Sequence, residues 1–236
     1  MTELSSSPIS VLLACRDSND TALITEAMKK FGVSVTHSAE TEALELVQRE
    51  KFEAAVVDFN IPVAPTILDE LRRSPSNKTA VTFAIVNGKS GAVSTLKVRA
   101  SFLLQRPLSA PLLYRTLQAA YGMMLQERRR YFRCPIVVPV TLQLGAETAK
   151  ISAHTVNVSQ NGLAVNTPVA LNAGDAIALQ FKLPQLASVI SGNAAVRWYR
   201  EGRAGLLFLD VNTSLRAELC EWLSKRLEAF LRPPQQ

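Results

Sequence analysis

The chain has 236 residues, 47% of them apolar, enough to fill two cores of about 100–130 residues each, so a single small domain is excluded. No apolar run reaches the ~18 residues of a membrane span, and Met1 to Ser10 lack the basic-then-apolar order of a secretion signal. The formal charge of +6 is uneven, with 13 Lys/Arg against 12 Asp/Glu in residues 1–125 and 13 against 8 in residues 126–236, which favours an anionic partner for the second half.

Ile9 to Ala14 is a short apolar run that fits a buried strand. Asn19 or Asp20 then offers an N-cap to a helix with Leu23, Ile24, Ala27, Met28 and Phe31 at helical spacing, ended by Gly32. Val33 and Val35 begin a second extended piece. Ser38 can cap another helix, with Glu40 and Glu42 at its positive end and Ala43, Leu44 and Val47 facing inward. Ala54-Ala55-Val56-Val57 is a third buried strand, ended by Asp58, and Ala80 to Val86 and Phe102 to Leu104 follow. A long amphipathic helix starts near Ser109 and carries Leu112, Leu113, Thr116, Leu117, Ala120, Tyr121 and Met124 on one side. Five strands alternating with helices imply a doubly wound parallel α/β sheet, whose ligands sit at the carboxyl ends of the strands, where Asp58 lies.

Residues 9–125 resemble a response-regulator receiver domain, a flavodoxin-like fold. Phe52 to Pro62 looks like the segment around the receiver phosphoacceptor, with Asp58 in that position, and Ser101 to Pro107 looks like the segment bearing its lysine-proline pair, with Arg106 in place of lysine. Where the resemblance calls for an acidic pair that seats magnesium, the chain has Cys15 and Arg16, and only Asp17 is acidic. The hydroxyl expected after the fourth strand is replaced by Val86 or Asn87. Magnesium needs hard oxygen ligands, and a guanidinium repels it. Asp58, Asp17, Arg16 and Arg106 are therefore expected to form a degenerate pocket. Either Asp58 pairs with Arg16 or Arg106 and phosphorelay chemistry is lost, or Asp58 is simply a polar residue at a strand end.

From Glu127 the pattern turns extended. Val140, Leu142 and Leu144 alternate with polar neighbours, as do Ile177, Leu179, Phe181 and Leu183, and Ala194, Val196 and Trp198. Asn161-Gly162, Asn172 to Asp175 and Glu201-Gly202 supply turns. About six short strands joined this way suggest a small antiparallel barrel. A last helix, capped by Thr213 or Ser214, carries Leu215, Leu219, Trp222, Leu223, Leu227 and Phe230 and is expected over one barrel opening.

Two clusters lie on this framework. Arg129-Arg130-Tyr131-Phe132-Arg133 puts arginines four apart directly before the first strand, and Asn157-Val158-Ser159-Gln160-Asn161-Gly162 spans the end of one strand and the start of the next. Together they resemble the PilZ domain, whose arginine-x-x-x-arginine element matches Arg129 and Arg133 and whose (Asp/Asn)-x-Ser-x-x-Gly element matches Asn157, Ser159 and Gly162. The resemblance covers 126–232, with 1–8 left as a flexible tail and 233–236 as a second tail. It implies cyclic di-GMP as ligand, held by Arg129, Arg133, Asn157, Ser159 and Gly162, with Arg128 as the adjoining contributor.

The residue chemistry agrees. A guanidinium fork bridges phosphate oxygens or the O6/N7 edge of guanine and stacks on the base. Asn157 and Ser159 are two apart, so on a strand they leave one face. Gly162 is expected to take positive φ in a tight turn and to leave room for the ligand. Each group also has a plainer role: an arginine run complements a helix C-terminus, and Asn157 and Ser159 can bond their own turn. Trp198 and Tyr199 read as barrel packing.

Other signals carry no function. Gly88-Lys89-Ser90 has the end of a phosphate-binding loop, but the glycine needed five places earlier is Phe83. His37 and His154 have no partner pattern for a metal or a nucleophile. Cys15, Cys134 and Cys220 fall at no metal spacing and fit reduced thiols in a cytoplasmic chain. The expectation is a non-enzymatic cyclic di-GMP receptor without a cofactor or metal, in which the ligand orders the arginine segment at the domain junction. The receiver-like half would then serve self-association or a protein partner. Two rivals remain: a response regulator controlled by phosphorylation with a PilZ output, and a basic nucleic-acid-binding protein, for which no recognition helix is present.

Overall fold

The apolar runs of the first half become the centre of a parallel sheet. In the computed structural model, which describes residues 9–38, 40–88, 100–145 and 149–231, its strands are β1 (Ser10–Ala14), β2 (Ser34–His37), β3 (Ala54–Asp58), β4 (Val81–Asn87) and β5 (Phe102–Arg106). They pair in the order β2-β1-β3-β4-β5, all parallel, which is the doubly wound, flavodoxin-like order. Alternation along each strand feeds two cores. Val11, Leu13, Val56 and Phe83 pack with α1 (Ser18–Lys30) and α4 (Ala110–Tyr131). Leu12, Ala14, Ala55 and Val57 pack with α2 (Glu40–Arg49) and α3 (Ala64–Arg73). Both faces of β3 are covered, which is why its sequence is an unbroken apolar run.

Helix starts differ from the sequence reading. Asp17, not Asn19 or Asp20, caps α1: its carboxylate accepts the Asn19 and Asp20 backbone N–H groups, both at 2.9 Å. Asp20 is thereby left to point its own side chain elsewhere. Helix α3 was not singled out from the sequence, yet Ala64, Ile67, Leu68 and Leu71 give it a buried face.

The chain divides into two compact units, Met1–Arg128 and Arg129–Gln236. The 1–8 and 233–236 tails, and Lys89 and Ser90 of the rejected loop, lie outside the described residues. In the second unit β7 (Pro139–Gln143), β8 (Ile151–Ser159), β9 (Gly162–Asn166), β10 (Ala176–Phe181), β11 (Ile190–Arg200) and β12 (Arg203–Val211) close into a six-stranded antiparallel barrel. The seam is the β8–β9 pairing, and β6 (Cys134–Pro135) adds a short strand outside β8. Glu201 and Gly202 both have positive φ, 48° and 76°, which gives the β11–β12 hairpin a tight two-residue turn. The last helix, α5 (Thr213–Leu231), is capped by Asn212, whose side chain accepts the Ser214 N–H at 2.8 Å, rather than by Thr213 or Ser214. Leu219, Trp222 and Leu223 from α5 join the barrel core. Among the described residues no helix is long and apolar enough to cross a membrane.

Candidate functional site

At the carboxyl ends of the strands in the first unit, Asp58 is 2% exposed. Its two oxygens accept Nη1 and Nη2 of Arg106 at 2.9 and 2.8 Å, a bidentate fork, while Arg106 Nε donates to Asp20 at 2.6 Å. Arg106, one of the two arginines expected as a partner for Asp58, pairs with it. Asn60 adds its N–H to Asp58 at 3.0 Å, and Asn87 accepts a weaker bond from Arg106 at 3.3 Å. Cys15 is buried, with Sγ 3.7 Å from Asp58. Burial pushes the Asp58 carboxyl up, but the Arg106 hydrogen bonds and charge, helped by the Asn60 N–H, hold it below its usual value. Arg106 is correspondingly raised, mainly by its bond to Asp58.

The donor set does not fit a magnesium ion. Asp17 uses its carboxylate on the α1 amides, and Asp20 and Asp58 surround one guanidinium. A divalent cation would have to displace Arg106 and share the space with its charge.

In the second unit the candidate residues fall into two groups. Cys134 pairs with Val158 and Pro135 with Asn157, a register that brings Arg133 alongside Ser159. Arg133, Ser159 and Gly162 line a cleft of about 310 Å³, joined there by Asn161, Arg197 and Trp198. That volume lies at the small end of ordinary ligand pockets. Arg129, in the last turn of α4, instead lies 3.7 Å from Glu228. Asn157 stands opposite Pro135 and is not among the lining residues. Its Oδ1 is buried and meets no hydrogen-bond donor among the described residues. Arg128 belongs to the first unit and is ion-paired with Glu53 at 3.4 Å.

Two residues owe their identity to packing. Ser159 donates to the Gly162 carbonyl at 2.9 Å and closes the two-residue turn of the β8–β9 hairpin. Gly162 does not take positive φ, contrary to the sequence reading. It is glycine because a Cβ there would lie 2.0 Å from the Leu206 carbonyl oxygen of β12.

Arg197 and Trp198 also line the cleft, which the sequence reading did not foresee, and a bulge is the reason. Opposite β12, Val196 pairs with Leu206 and Trp198 with Gly205, so Arg197 is an extra residue. Inward alternation through Ala194 and Val196 stops there, and Trp198 emerges 42% exposed instead of packing in the barrel. Consecutive residues, which a regular strand would send to opposite faces, both line the cleft. Gly205 makes room for the indole: a Cβ at that position would lie 2.1 Å from Trp198 Nε1. The cleft thus offers two guanidinium groups and an aromatic face, and among the described residues no carboxylate lines it.

Residues 127–225 match the PilZ domain family. Among curated proteins none matches the chain. Among solved structures, the receiver domain of a sensor histidine kinase from Pseudomonas aeruginosa is 20% identical, covering 49% of this chain and 99% of its own, with a TM-score of 0.44. The PilZ domain of CeSA from a cellulose-synthesizing bacterium is 19% identical, covering 41% of this chain and 98% of its own, with a TM-score of 0.33. The Bacillus subtilis inhibitor of motility is 22% identical, covering 44% of this chain and 54% of its own, with a TM-score of 0.40.

Proposed function

We propose that the chain is a non-enzymatic cytoplasmic receptor for cyclic di-GMP. The observation that carries the reading is the convergence of Arg133, Arg197 and Trp198 on one cleft floored by Ser159 and Gly162. A cyclic dinucleotide presents two phosphate charges and two purine faces, which match guanidinium forks and an indole. Charge-assisted hydrogen bonds contribute roughly 1.5–3 kcal/mol each, so a few of them support micromolar affinity. Arg129 completes the motif by leaving Glu228, an exposed partner that competes weakly. In this reading the ligand orders residues 128–133, where α4 passes from one unit to the other. A population shift there changes domain packing or partner binding. The first unit acts as a docking or self-association platform and not as a phosphoacceptor, because the Asp58 oxygens already hold Arg106.

Calorimetric titration with cyclic di-GMP tests this. Arg133→Ala should weaken binding by about tenfold or more. Arg129→Ala should also weaken it. Normal binding by both variants, or none by the wild type, refutes the reading.

A further inference from the structure

The outer face of the barrel carries a basic row that the cleft does not include. Ala204 and Leu206 of β12 and Val165 of β9 are core residues, and Tyr199 of β11 packs against the core, so their immediate neighbours face outward. Strand pairing sets the outward residues in rows. Trp198, Gly205 and Ala164 form one row, inside the cleft. Arg200, Arg203 and Asn166 form the next, toward the β11–β12 turn, with His154 of β8 beyond Asn166, and all four are exposed. The rows are two residues apart along β12, about 6.5 Å on one continuous surface. Arg200 and Arg203 stand directly opposite each other across the Glu201-Gly202 turn, a placement in which like charges repel and weaken a hairpin. Among the described residues no carboxylate is ion-paired with either, Glu201 of the turn included. An anion seated between the two guanidinium forks relieves that repulsion, since each fork can chelate two oxygens of a phosphate.

We propose that Arg200 and Arg203 form a second phosphate subsite continuous with the cleft, so that one phosphate of a cyclic dinucleotide lies on Arg133 and Arg197 and the other on Arg200 and Arg203. The identity of the ligand rests on the cyclic di-GMP reading, whereas the subsite rests on the row itself. On β11 Trp198 stands between Arg197 and Arg200, its indole against Gly205, where a purine that joins the two phosphates can stack. The small volume of the cleft, about 310 Å³, accords with this division, because part of the ligand then lies on the open surface beyond it. Discrimination between anions with one phosphate and with two is thereby set outside the cleft, by the hairpin that closes β11 on β12.

The test titrates wild type, Arg200→Gln, Arg203→Gln and the double variant with cyclic di-GMP and with linear GpG, which has a single phosphate between its guanosines. Both positions are exposed, so glutamine leaves the fold intact. The double variant should bind cyclic di-GMP about tenfold more weakly than wild type, the equivalent of one charge-assisted bond, and GpG less than about twofold more weakly. Each single variant should fall between wild type and the double variant. Unchanged binding of cyclic di-GMP overturns the proposal. An equal loss with both ligands also overturns it, because that marks general attraction by charge and not a subsite. If the wild type does not bind cyclic di-GMP, the receptor reading fails on its own. The subsite is then judged with inorganic pyrophosphate, which should raise the unfolding midpoint of the barrel, read by Trp198 and Trp222 fluorescence, more in wild type than in the double variant. An equal rise in the two proteins overturns it.

Discussion

Replacing Arg106 with Leu removes one guanidinium from two carboxylates. The Asp58 side chain is 3% exposed, Asp20 14% and Arg106 18%, so the Asp58 half of the contact is the dry one. Breaking a buried pair by removing one partner costs roughly 3–5 kcal/mol, and water access at Asp20 puts the expected loss near the lower end, about 3 kcal/mol. The sign with pH follows from Asp58. In the wild type its pKa is depressed, so its contribution to stability is fully present above the unfolded value of 3.8 and is lost as pH falls through the folded value. Without Arg106, burial is left to raise the carboxyl instead, and the penalty is largest at neutral pH and shrinks as Asp58 takes up a proton. Both tryptophans, Trp198 and Trp222, lie in the second unit, so indole fluorescence reports that unit alone. Native-state hydrogen exchange of the β3 amides, Ala54–Asp58, reports the first. Arg106→Leu should lower their protection by about 3 kcal/mol near pH 7 and by clearly less near pH 5, with the fluorescence-detected transition unmoved. A loss below about 1 kcal/mol, or one independent of pH, refutes the assignment of Arg106 as the counter-charge of Asp58.

Incubation with acetyl phosphate and magnesium should leave Asp58 unlabelled, as read by intact-mass spectrometry, because the attacking oxygens are held by Arg106 and the acidic pair is missing. Labelling in good yield would restore the phosphorylation-controlled reading. Two glycine substitutions should separate fold from site. Gly162→Ala drives a methyl into the Leu206 carbonyl of the neighbouring strand and should destabilise the barrel by about 2–3 kcal/mol in fluorescence-detected unfolding. Gly205→Ala meets the exposed Trp198 ring first, at its three nearest atoms, so it should displace the indole and weaken cyclic di-GMP binding severalfold while costing the barrel less than Gly162→Ala does.

Much of the fold could be read from the sequence because burial on both faces leaves a blunt signature. Val11 to Ala14 and Ala54 to Val57 are apolar without interruption, and only central parallel strands combine such short length with such uniformity. Helix α3 was harder to see, since Pro62 and Pro65 flank its start and Val63 supplies no side-chain cap. The candidate cleft was legible where local spacing decides it. Arg133, Ser159 and Gly162 are brought together by strand pairing at one hairpin and its neighbour. Period-two reasoning could not find Arg197, because a single inserted residue in β11 reverses the phase of everything after Val196. Nor could it tell that Asp17 would cap α1 and release Asp20 to Arg106, a choice made by geometry over four residues and across 86 more.

The sequence has 13 basic residues in its second half, and charge alone does not separate those that meet a ligand from those that hold the fold. The separation lies in what carboxylates stand within reach. Arg106 is enclosed by Asp20 and Asp58, and Arg128 faces a buried glutamate, so taking either guanidinium away strands a charge in a dry site. Arg129 faces Glu228, more than half exposed, which water can solvate when the arginine leaves. Arg133 and Arg197 are exposed and border a cleft that, among the described residues, no acidic side chain lines, so an anion entering it displaces solvent and not an internal carboxylate. Affinity for an anion should rise along that series, from Arg128 through Arg129 to Arg133 and Arg197, in inverse order to how deeply each competing carboxylate is buried.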